Sequence, residues 1–374
     1  MNIRNIAAAA VLILGFALVG WRTSAHEPAV EMHVGSPLRL AKVMGQQRLV
    51  YELHVTNISD VPVELTALDT VDAGGKSFLH LDQAALSKHT DMGGKSVLAG
   101  RAHAVVYLTV DFGGSAPTAI QHRVTVKQGD AQSVIAGPRV PVMAVTPPVL
   151  AAPLRGGPWV AVYNDEWPRG HRRVFYETGG HARLPGRFAI DWMKVDAQGR
   201  TLRNASGLAS SSLSYGAEVL AVADARVVAA RDGVTEAARL SDNHAHPHPD
   251  AAGNYISLAL EGGQFATYEH LRPGSLKVAK GDHVSAGQVL AEVGFTGDST
   301  EPHLHFHVSD SPSPLEGEGM PYSLNRVLLL GRFTDWNDLG SRRWRHRSQR
   351  RAECPLPSWS AMPAGALRRG SAPD

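Results

Sequence analysis

The sequence predicts an all-β protein, with an N-terminal immunoglobulin-like β-sandwich followed by a second, mostly antiparallel β domain. Three observations carry that reading. Short runs alternate apolar and polar residues with a period of two. Turn residues are abundant, with 37 Gly and 23 Pro in 374 residues. Helical periodicity is scarce. Period-two runs broken by turns are the pattern of half-buried strands, and hydrophobic residues at 43% supply ordinary cores.

The chain opens on Arg4, an apolar run over 6–19 (IAAAAVLILGFALV) and small residues, with Thr23 and Ala25 spaced as for cleavage. The run is short for a helix crossing about 30 Å of hydrocarbon. Residues 1–25 therefore read as a secretory signal peptide, with an uncleaved anchor as the alternative. No later segment is long and apolar enough to span a membrane, so the expected location is outside the cytoplasm, in the periplasm or cell envelope.

Residues 27–145 carry the first domain. LVYELHVTNISDVPVELTAL (49–68) alternates on both sides of a turn cluster, and HAVVYLTVDF (103–112) and HRVTVKQ (122–128) do the same. An immunoglobulin-like sandwich fits this pattern. His80, His89 and His103 are scattered and read as surface or core histidines. A Pro-rich stretch over 137–158 then reads as an extended or edge segment, because Pro donates no ladder hydrogen bond; the linker is placed at 146–157. The second domain spans 158–330, where short apolar runs alternate with Gly turns and EGGQ (261–264) marks a hairpin. Residues 331–374 form a basic tail containing RRWRHRSQRR, expected to lack regular structure.

The formal charge of +2 is unevenly spread. Eight Arg against Glu353 and Asp374 give 341–374 a surplus of six positive charges, so the rest of the chain stands at −4. That body offers nucleic acid no basic surface. No phosphate-binding Gly loop, GxSxG or HExxH occurs, which removes nucleotide enzymes, serine hydrolases and helix-borne zinc proteases. The lone Cys354 excludes an intrachain disulfide and a thiolate-rich metal site. Any metal falls to His and carboxylate.

PHLHFHV (302–308) is the sharpest feature. Residues two apart on a strand share a face, so His303, His305 and His307 project together. Burying three imidazoles without partners is costly, which points His303 and His305 to metal or catalysis; His307, where strand twist takes effect, is left as a supporting or structural residue. In TYEHLRPGS (267–275), His270 stands where a strand meets a turn, a place that serves catalysis or simply the surface. Strand alternation aims its neighbour Glu269 at the opposite face, and Glu301 precedes the histidine strand, so neither is an obvious base. Asp191, inside the apolar RFAIDWM (187–193), is either a metal ligand or an ion-pair partner. HAHPHP (244–249) looks like a metal tract, but its prolines suggest an inserted loop with adventitious or no metal binding.

The blocks RFAIDW (187–192), AEVLAVADARVVAARDG (217–233), GNYISLALEGGQFATYEHL (253–271) and PGSLKVAKGDHVSAGQVLAEVGFTGDSTEPHLHFHV (273–308) resemble, in order and spacing, the lysostaphin/LytM family of zinc endopeptidases. The resemblance covers about 165–325. It implies a compact antiparallel β domain with a narrow groove, and a Zn2+ ion held by His, Asp and His with a position open to water. Asp191 and His305 match two of the ligands. His303 and His270 match the two histidines that flank the water and the scissile carbonyl. The commonest family pattern places the first His four residues before the Asp, where this chain has Arg187. A subset has an upstream HR motif instead, matched here by GHRR (170–173), which makes His171 the candidate. His181 is the rival, and a chain lacking the third ligand would be non-catalytic. The implied activity is hydrolysis of peptide crosslinks in bacterial peptidoglycan by a metal-activated water. A non-catalytic wall-binding relative and an adhesin-like sandwich are the alternatives; the second leaves the histidine strand unexplained.

Overall fold

The computed structural model describes residues 30–346 and 365–369, apart from 44–45, 144–145, 165–166, 168–169, 249, 334 and 342–343. The expected signal peptide lies outside the described residues. Almost all regular structure is β, and Gln83–Lys88 is the only α-helix among the described residues. No described helix is long and apolar enough to cross a membrane.

A pair of sheets face each other in the N-terminal half. In one, Gln46–Asn57 is paired by Val30–Val34, Ala41–Val43 and His103–Phe112. The other runs in the order Leu38–Arg39, Ala131–Met143, Ala119–Gln128, Val63–Val71, Ser77–Asp82, with Val97–Leu98 also on Val63–Val71. The alternation places Leu49, Tyr51, Leu53 and Val55 in one core with Leu65, Leu68, Val124 and Val126. The middle of the reverse face of the first sheet is also covered. Val50 joins the core of the C-terminal half, and Glu52, Val105 and Tyr107 are buried. Antiparallel sheets usually wet one face; here the C-terminal half occupies the middle of it.

The Pro-rich stretch is packed rather than a free linker over 146–157. Val149–Leu150 pairs in parallel with Ser323–Leu324, and Leu150, Ala152 and Leu154 are buried. Apolar residues between the prolines explain the docking, and the parallel pairing fits the edge reading.

The C-terminal half is organised by a ten-stranded sheet in the order His283–Val284, Ala225–Arg231, Asn254–Ala259, Phe265–Leu271, Leu304–Ser309, Ile190–Lys194, Trp159–Val162, Gly365–Arg369, Val327–Arg332, Arg345–His346. The hairpin at 261–264 forms, turning through Gly262 at φ 74°. On the central strand, Leu304, Phe306 and Val308 pack with Ile190, Trp192, Ile256 and Tyr268. The histidines between them are thereby forced to the other face.

The expectation that 331–374 lacks regular structure fails for its described segments. Gly365–Arg369 pairs with Trp159–Val162 and Val327–Arg332. Phe333 and Trp344 close a small core with Val160, Val162 and Val195. The arginines mask these few apolar anchors in the composition.

Two stability measurements follow. Phe333→Ala costs about 3–5 kcal/mol in urea unfolding of the full chain; a loss below about 1 kcal/mol means that the core under the tail contributes little. Burial lowers the His122 pKa to about 4, and Tyr51 Oη lies 2.8 Å from its Nε2. The unfolded chain binds this proton first. The contribution of neutral His122 is therefore complete above pH 6.5 and lost as pH falls toward 4, by about 3 kcal/mol. In His122→Gln the acid destabilisation over that range shrinks by this amount; an unchanged pH profile refutes the assignment.

Candidate metal centre

Strand pairing brings the chemistry together. Leu304–Ser309 lies between Ile190–Lys194 and Phe265–Leu271, with His305 directly opposite Asp191 on one side and Glu269 on the other. Asp191 Oδ1 accepts from His305 Nδ1 at 2.9 Å and also lies 3.3 Å from His303 Nε2. Its Oδ2 accepts from His171 Nε2 at 2.7 Å. His171 opens the short 3-10 turn His171–Arg173, which packs against a second such turn, Pro185–Phe188. Gly186 makes that approach feasible, because a Cβ there would stand 2.8 Å from His171 Cβ.

The ligand atoms of His171, Asp191 and His305 all lie within 4.8 Å of one another. These side chains converge on one carboxylate closely enough to share a single cation. Burial opposes the charge on Asp191, but His171 and His303 outweigh it and hold the carboxyl well below its usual range. Burial and His171 lower His305 to about 4. An ionised carboxylate beside a neutral imidazole suits a divalent ion of the zinc type. The donor set fits the metal that the resemblance implies. His181 is exposed on the hairpin of Tyr176–Thr178 and His181–Arg183, outside the three groups able to hold a metal among the described residues.

His270 and His303 are oriented alike. His270 donates from Nδ1 to the Thr296 carbonyl at 2.8 Å, and His303 from Nδ1 to the Glu301 carbonyl at 2.7 Å. Each keeps Nε2 for the site, and their ring centroids are 4.8 Å apart. Burial and the neighbouring His303 and His305 keep His270 well below the usual histidine range. With His305 the pair forms a second possible metal group. A cavity of about 320 Å3 opens against Asp191 and His303, walled by Trp167, Thr201, Glu301 and Leu339.

Glu269 corrects the alternation argument. Two residues, Glu269 and His270, stand opposite Tyr255 alone, and His270 adopts φ 62°. This β-bulge turns both side chains toward the site. Glu269 Oε1 lies 3.3 Å from His307 Nδ1 and 3.9 Å from His305 Nε2. Burial and Asp191 push its carboxyl well above the usual range. Nothing local in the sequence signals a bulge; the clue available was that any residue paired with His305 borders the site. His307 is buried behind His305 beside Glu269. The 244–249 histidines remain apart, with His246 near Asp298 at 3.3 Å and His248 against Tyr176. Arg187, at the position of the commonest first ligand, is buried between Glu52 and Glu318.

The site is thus a set of His and carboxylate groups able to hold a metal, carried largely on neighbouring antiparallel strands. The chain matches peptidase family M23 over residues 210–316. Its structure is similar to the catalytic domain of the prophage-encoded M23 protein EnpA from Enterococcus faecalis, at 19% identity over 46% of this chain and 93% of that one, TM-score 0.28. It is similar to the lysostaphin catalytic domain from Staphylococcus simulans, at 20% identity over 46% and 86%, TM-score 0.23. A putative M23 peptidase from Pseudomonas aeruginosa aligns over 70% of this chain and 94% of its own, at 13% identity and TM-score 0.23.

Zn2+ titration of the full chain separates the two histidine groups. Asp191→Ala and His171→Ala weaken binding at least about 100-fold, while His270→Ala stays within about 10-fold of wild type. The reverse ranking moves the ion to the His270, His303 and His305 group.

Proposed function

We propose that this protein is a zinc-dependent endopeptidase that cleaves peptide crosslinks of bacterial peptidoglycan outside the cytoplasm. We read 1–25 as its signal peptide, 27–145 as a sandwich domain and 158–330 as the catalytic domain. His171, Asp191 and His305 are the metal ligands, and His270 and His303 the catalytic pair. The observation that carries this reading is the Asp191 carboxylate, which meets His171 Nε2 and His305 Nδ1 beside two further histidines with Nε2 turned to the same space. The resemblance and the M23 match support the substrate class.

A zinc ion held by these ligands supplies Lewis acidity toward a water or a peptide carbonyl. The remaining work falls to the side chains. Thr296 and Glu301 carbonyls fix the tautomers of His270 and His303, so each Nε2 is available for proton transfer. One of the two would take a proton from the attacking water and, as the imidazolium so formed, return it to the departing amine; the other, in its protonated form, would donate to the developing oxyanion. The cavity against Asp191 and His303 gives the scissile peptide its place.

Purified full-length protein should release new amino groups from peptidoglycan, lose that activity to a chelator and regain it with Zn2+. His270→Ala and His303→Ala should each cut the rate about 100- to 10,000-fold while still binding Zn2+. Undiminished release after complete metal removal, or full activity in both variants, refutes the proposal.

A further inference from the structure

The turn that carries His171 is not held by the C-terminal half alone. Arg172, the next residue, is buried and reaches into the first N-terminal sheet. Its Nε donates to Glu52 Oε1 at 2.7 Å, Nη1 to Thr109 Oγ1 at 3.3 Å, and Nη2 to the carbonyls of Tyr51 and Leu108. The Arg173 guanidinium stacks 3.5 Å above the Tyr107 ring. The other oxygen of Glu52 accepts from Arg187 Nε at 2.8 Å. Arg187 follows Gly186, the residue in contact with His171 Cβ. One carboxylate, 3% exposed, thus grips both turns that shape the His171 position.

Docking alone is a weak explanation for this arrangement. A buried ion pair often stabilises no more than well-packed apolar residues of the same volume, and Ala41 and Val50 already join the apolar core of the C-terminal half. What two carboxylate oxygens and two guanidinium forks add is fixed spacing and orientation. That is what a ligand on a short turn, outside the sheet that fixes Asp191 and His305, otherwise lacks.

We propose that Glu52 is a positioning residue for His171, so that the N-terminal sheet completes the metal centre. The inference rests on the metal reading above and extends it to residues the M23 match does not reach. The sheet presents Glu52 to Arg172 and Arg187, and these hold the imidazole against Asp191.

A double-mutant cycle on the full chain, read by Zn2+ affinity in competition with a chromophoric chelator, tests this. Glu52→Gln should weaken binding about 10- to 100-fold. In a His171→Ala background the same substitution should change affinity less than about two-fold, because the ligand it acts through is gone. Equal losses in both backgrounds mean general loosening and overturn the inference, as does unchanged affinity in Glu52→Gln. If Glu52→Gln does not fold, Arg172→Lys, which keeps the charge and loses the fork, takes its place in the same cycle with the same outcomes. Wild-type protein that binds no Zn2+ overturns the metal reading and the inference with it; wild-type binding with a null cycle overturns the inference alone.

Discussion

The Asp191 carboxylate is the constraint on which the site depends. Its two oxygens meet imidazoles from a short turn and from the neighbouring strand, residues far apart in the chain. Strand pairing fixes one of these contacts, because Asp191 and His305 are directly opposed and the ladder sets their separation. The other is fixed only by how a loop is supported. A negative charge this poorly hydrated persists because of what surrounds it, and the surroundings span both halves of the molecule.

The two halves are correspondingly hard to separate in physical terms. The first sheet turns one apolar face to its own core and the middle of the other to the C-terminal half, leaving only the ends of that second face exposed. The buried Glu52, Arg172, Arg187 and Glu318 stand where that second face meets the turns around His171. Breaking one partner leaves an uncompensated charge, and such losses are large, about 3–5 kcal/mol. Order at the interface and order at the turn carrying His171 are therefore coupled.

Much of this was legible in the sequence because it follows from period-two geometry. The all-β class, the 261–264 hairpin and the shared face of His303, His305 and His307 needed only alternation. Resemblance singles out His171 over His181, and the structure places His171 against Asp191. What escaped lies where alternation breaks or where contacts are remote. Alternation aims Glu269 the wrong way because a bulge adds one residue to its strand. Glu52 looks like an ordinary polar residue on the outer face of a sheet. The segment beyond 330 looks unstructured because Phe333 and Trp344 are sparse among arginines.

The left-handed backbone of His270 sets two selections against each other. A non-glycine residue at φ 62° carries strain of about 1 kcal/mol or more. Glycine or asparagine would relieve it. On the proposed catalytic role of His270, a library at this position screened for heat resistance would drift toward those residues, while one screened for turnover would hold the imidazole. The bend would then be a standing stability deficit that the proposed function maintains.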